Sequence, residues 1–93
     1  MKKKNISNIS LQQLKTNKIK KHYYNTEGVK KADNGKFKEA VEYFTKAIKL
    51  EPEDSLSYFN RATVKMNIGD VIGAMSDFKL SASYQLNNWY PPL

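Results

Sequence analysis

Laid over itself with a shift of 34 residues, the distance from Tyr24 to Tyr58, the sequence meets its own pattern again. Lys31 falls on Lys65, Gly35 on Gly69, Ala40 on Ala74 and Phe44 on Phe78. Small residues pair at Gly28/Ala62 and Ala47/Ser81. The recurring positions are aromatic, small or turn-forming, the types a fixed packing geometry demands. A period of this length marks a supersecondary unit that cannot bury its apolar face alone and stacks on a neighbour to do so. At 93 residues the chain has room for one domain holding about two such units.

Each unit reads as a helix, a turn and a second helix. In "GKFKEAVEYFTKAIKLEPED" (Gly35–Asp54), Phe37, Ala40, Val41, Phe44, Ala47 and Ile48 recur at spacings of three and four, which is one helical face. Pro52 forces the residue before it out of helical geometry, and Asp54 or Ser55 can cap a new helix. That helix covers about Leu56 to Asn67 and is apolar on more than one side, through Tyr58, Phe59, Ala62, Val64 and Met66. Gly69 turns the chain, and Asp70 caps a further helix whose inward residues are Val71, Ala74, Met75, Phe78 and Ala82. Upstream, His22–Asp33 is a weaker helical segment. Gly28 within it predicts close approach of a neighbouring helix, since glycine costs about 1 kcal/mol in a helix interior. Ser10-Leu11-Gln12-Gln13 has the form of a capping box, so a helix starts near Ser10 and either runs into the next or breaks before His22. The two prolines of "NNWYPPL" argue against helix at the C-terminal end. The expected fold is all-α: two stacked antiparallel hairpins, units 21–54 and 55–88, preceded by a basic extension at 1–20 and followed by a tail at 89–93.

In period and positions the chain resembles the tetratricopeptide repeat family over about residues 21–88. Tyr24, Gly28, Ala40, Phe44, Ala47 and Pro52 fall on the family's signature places in the first unit, and Tyr58, Ala62, Ala74 and Phe78 in the second. Departures are Tyr24 for tryptophan, Glu27 and Arg61 for leucine, Lys31 and Lys65 for tyrosine, Lys36 for an acidic cap and Leu86 for the closing proline. The resemblance implies a concave groove, lined by the first helix of each unit, that binds a peptide or partner protein. Its candidate lining is His22, Asn25, Val29 and Asp33 from the first unit, and Phe59, Asn60, Thr63 and Asn67 from the second. "YFNRA" (Tyr58–Ala62) resembles part of the family's carboxylate clamp. Asn25 and Val29 stand where other clamp residues belong, so the full clamp is not expected, and Asn60 is instead a candidate ligand for a peptide backbone.

The net charge of +7 is local: residues 1–21 hold seven lysines and no acid, and the remainder balances nine basic residues with nine acidic ones. The basic segment reads as a solvated tail. Its alternative role is a nucleic-acid or anionic-surface contact through Lys15, Lys18, Lys20 and Lys21, which would be salt-dependent and blind to sequence. No cysteine is present, which excludes disulfide staples and thiol chemistry and fits a reducing, cytoplasmic setting. His22 lacks the convergent partners that a triad or metal site needs, and Glu51, Glu53 and Asp54 lack calcium-loop spacing and read as a solvated turn. No enzyme, cofactor or metal is expected. The outer face of the last helix has no third unit to cover it. Either the "WYPPL" tail, a second copy of the chain or further repeats in a longer protein must do so.

Overall fold

The computed structural model describes residues 10–89, which form four helices: α1 (Leu11–Asp33), α2 (Phe37–Leu50), α3 (Ser55–Asn67) and α4 (Val71–Trp89). No strand occurs among the described residues. α1 packs on α2 and α3 on α4 as two hairpins. The hairpins meet broadly through α2 and α3 and narrowly through α1 and α3.

The turns show why the period holds. Gly35 has φ 77° and Gly69 φ 83°, the left-handed conformation that L side chains resist. After α1, the Lys36 N–H reaches back to the Lys31 carbonyl (2.8 Å) and the Gly35 N–H to that of Ala32 (3.0 Å). Thirty-four residues on, the Asp70 N–H bonds the Lys65 carbonyl (2.8 Å) and the Gly69 N–H that of Met66 (3.1 Å). Both are Schellman stops, and each hands the chain to its second helix with the same geometry. The Asp54 carboxylate accepts from the Ser57 N–H (3.1 Å) and caps α3, and Asp70 accepts from the Gly73 N–H (3.0 Å) at the start of α4.

The N-terminal end takes the first of the two expected courses, and the C-terminal end differs from the sequence reading. α1 is one continuous helix of 23 residues that passes through residue 20 without a break. Ser10 accepts from the Gln13 N–H (3.0 Å), but the Gln13 amide donates forward to Asn17 (2.9 Å), so only half of the capping box forms. α4 runs on to Trp89 despite the prolines. Pro91 restricts residue 90, immediately before it, and leaves 87–89 free to stay helical. The remaining tail, and Lys2, Lys3 and Lys4, lie outside the described residues.

The core is small and sits where the hairpins meet. Ala40, Phe44 and Val64 form its centre, with Ala32, Phe37 and Val41 packed around them. Gly28 lies against the Phe44 ring, where an added Cβ would come closer than 3.0 Å to three ring carbons. The close approach expected from that glycine is therefore made by its own hairpin partner. The α3 face reads as anticipated for Tyr58, Ala62 and Val64, which are buried, while Phe59 and Met66 are about half exposed. The α4 stripe is covered on one side only. Ala74 is buried, but Val71, Met75 and Ala82 are exposed, because no described element packs on the far side of this hairpin.

Candidate binding face

The candidate face is the outer side of α1 and α3, which meet narrowly. On α1 it carries Val29, 43% exposed. On α3 it carries Phe59, 50% exposed, together with exposed Thr63 and Asn67 and half-buried Asn60. The Thr63 hydroxyl donates back to the Phe59 carbonyl (3.0 Å), so its proton is already used. Among the described residues the Asn60 amide has no side-chain hydrogen bond, which leaves a donor and an acceptor unused. The Phe59 ring meets Phe78 edge to face at 5.6 Å, so it leans towards α4. An open depression beside it is lined by Ser55, Leu56, Ser81 and Gln85.

Asn25 departs from the expected lining. It is 6% exposed, and its Nδ2 donates to the Ser57 hydroxyl (2.9 Å). The Ser57 hydroxyl in turn donates a hydrogen bond to the Asp54 carboxylate (2.6 Å), so its oxygen accepts and the Asn25 amide must present its N–H. The Asn25 Oδ1 is buried without a partner among the described residues. Asn25 thus joins α1 to α3 rather than facing a ligand. Polar residues at helix crossings look like surface residues in a sequence, because the matching serine lies 32 positions away. His22 and Asp33 are exposed.

The lysines of the alternative site divide into two pairs. Lys15 and Lys20 are exposed. Lys18 pairs with Glu51 (3.4 Å), and Lys21 pairs with both Glu51 (3.4 Å) and Asp54 (3.2 Å). The acidic turn after α2 is therefore clasped by α1. Burial pushes the Asp54 carboxyl up, but the Ser57 hydrogen bond and the Lys21 charge outweigh it and hold the group below the ordinary carboxylate range.

A second polar cluster, not singled out from the sequence, lies between α2, α3 and α4. Arg61 forks onto Asp77, with Nε donating to Oδ2 (2.7 Å) and Nη2 to Oδ1 (2.9 Å), and its Nη1 donates to Thr45 (3.1 Å). Lys65 adds a contact to Asp77 at 3.1 Å. Asp77 is 2% exposed. Burial raises its carboxyl, and the bonds from Arg61 and Lys65 more than reverse this, so it titrates below the ordinary range. The signal was present in the sequence as paired departures: a charge replaces leucine at 61, and Asp77 stands 34 residues after Tyr43.

The helical hairpins, their shared turn geometry and their 34-residue step define an α-helical repeat protein. Comparison with known families agrees: the model of the tetratricopeptide repeat matches residues 22–54, the whole first hairpin apart from the early turns of α1. Tetratricopeptide repeat protein 36 of Danio rerio is 35% identical over 57 residues, covering 61% of this chain and 30% of that protein. The chain thus spans less than a third of this relative's length. No solved structure matches it. The first hairpin matches the tetratricopeptide repeat, and the second, which repeats its pattern 34 residues on, is consistent with about two such repeats; repeats of this family generally mediate protein–protein interaction.

Proposed function

We propose that this chain is a non-catalytic, cytoplasmic interaction module that holds an extended peptide or a segment of a partner protein on the open face of α1 and α3. The observation that carries this reading is the unused Asn60 amide beside the half-exposed Phe59 ring. Phe59 supplies an apolar floor, and the Asn60 amide can pair with a peptide group through both its donor and its acceptor. Val29, Thr63 and Asn67 extend the contact along the face. Against the alternative of a polyanion contact, Lys21 is held between Glu51 and Asp54 and Lys18 also reaches Glu51, which lowers the positive potential there, although Lys15, Lys18 and Lys20 are exposed.

The test is selection of binding peptides from a displayed random library, followed by titration calorimetry on wild type and variants. Asn60→Ala is expected to weaken the selected peptide by about 1–2 kcal/mol, the range for a hydrogen bond whose loss strands its mate. Deletion of residues 1–9 and an increase in salt should change affinity much less. A steep salt slope, with Asn60→Ala silent and the deletion abolishing binding, would replace this reading with the basic-segment one.

A further inference from the structure

The step that relates the two hairpins can be applied once more. Doing so shows what kind of surface would fit against α4. At the existing junction, three places on α3 meet the first hairpin: Ser57 receives the Asn25 amide, Arg61 donates to Thr45, and Val64 is buried with Ala40 and Phe44. They lie at i, i+4 and i+7, on one face of the helix. Moved on by 34 residues, Asn25 becomes Phe59, Thr45 becomes Lys79, and Ala40 and Phe44 become Ala74 and Phe78. The apolar part of the socket is kept, while its polar part is rewritten: an amide becomes a phenyl ring and a hydroxyl becomes an ammonium.

Among the described residues nothing covers this end of the molecule. Phe59 is 50% exposed, Met75 64% and Ile72 84%. Lys79 is exposed and has no ion pair among the described residues. We infer that this face receives an amphipathic helix of a partner protein, with an apolar residue at the first place, an aspartate or glutamate four positions later and an apolar residue three beyond that. The first packs on Phe59, the carboxylate meets Lys79, and the last enters between Ala74 and Phe78. Charge complementarity selects the occupant. An arginine at the middle place, as in α3 itself, would face a like charge at Lys79, so a copy of α3 does not fit. The early turns of α1, whose charged side chains are Lys15, Lys18 and Lys20, are excluded for the same reason.

This site is distinct from the open face of α1 and α3, with Phe59 at the edge they share, so the decisive variant is on α4. The probe is a fluorescein-labelled, 16-residue helical peptide carrying leucine, glutamate and leucine in that pattern, compared by anisotropy with a version having lysine for glutamate. Wild type is expected to prefer the glutamate peptide by about fivefold, the upper range for a partly exposed ion pair. Lys79→Glu should reverse the preference, and Lys30→Glu, on α1, should leave it unchanged. Asn60→Ala should also leave it unchanged, which separates this site from the one proposed above. A preference that survives Lys79→Glu, or no binding of either peptide by a chain whose helicity is intact, overturns the inference. So does a dimer in sedimentation that Met75→Lys dissolves, since a second copy would then be the occupant.

Discussion

Arg61 shows how a residue that looks misplaced can be accounted for by one other residue. The family places leucine there, and a charge at a helix crossing would ordinarily weaken packing. Here the guanidinium is matched in plane by Asp77, with two bonds of 2.7 and 2.9 Å. Such a bidentate fork suits arginine and no other cation. Removing one partner of a buried pair costs far more than removing both, because the survivor is left desolvated. Arg61→Leu, although it restores the family's usual residue, is therefore expected to destabilise the chain by about 1–3 kcal/mol. Arg61→Leu combined with Asp77→Leu should recover most of that loss. Urea melts of the two variants check the order; a single variant as stable as wild type would show the cluster to be energetically idle.

At the scale of the helices, the hairpin crossings are set by small residues. Ala40 and Ala74 are fully buried, and Gly28 leaves room for the Phe44 ring. Ala40 lies between its own hairpin and α3, with Val64 against it, so there is no direction in which a larger side chain can relax. Ala40→Leu is expected to cost about 1–3 kcal/mol through overpacking. A thermal melt measures it, and an unchanged midpoint would mean that the α2–α3 crossing is wider than described. The early turns of α1 are a contrast: Leu11 and Ile19 are 69% and 70% exposed, and the Lys18 and Lys21 pairs tie that stretch to the turn after α2.

For the molecule as a whole, two carboxylates add to the apolar seam that joins the hairpins. Asp54 caps α3, accepts from Ser57 and pairs with Lys21 of α1. Asp77 anchors the arginine that reaches Thr45 of α2. Both groups titrate below the ordinary carboxylate range in the fold. A carboxylate whose folded value lies below its unfolded value of about 3.9 stabilises fully above that value. The contribution is lost as pH falls through the folded value. Stability should therefore be level through neutral pH and fall below about pH 4. Melts from pH 7 to pH 2.5 test this. In Asp77→Leu combined with Arg61→Leu the acid loss should be shallower than in wild type, because one of the two depressed carboxyls is gone; an equal slope would assign the loss to other groups.

The sequence by itself determined the fold class, the period and the element order. It could do so because these rest on local physics: glycine at a left-handed turn, aspartate at a helix start, apolar residues every three or four positions. The helix pattern placed Phe59 among the apolar sides of α3, and only the resemblance to the repeat family put Phe59 and Asn60 on a candidate binding face. What only the tertiary structure decided was the state of the polar residues. Asn25 was read as a surface amide and is buried on Ser57, and Lys18 and Lys21 were read as free charges and are paired. Arg61 was read only as a departure from the family pattern and is paired with the buried Asp77. Burial of apolar groups follows from a pattern along one helix. Satisfaction of a polar group depends on a partner that may stand far away in sequence, and only the packed hairpins bring the two within hydrogen-bond reach.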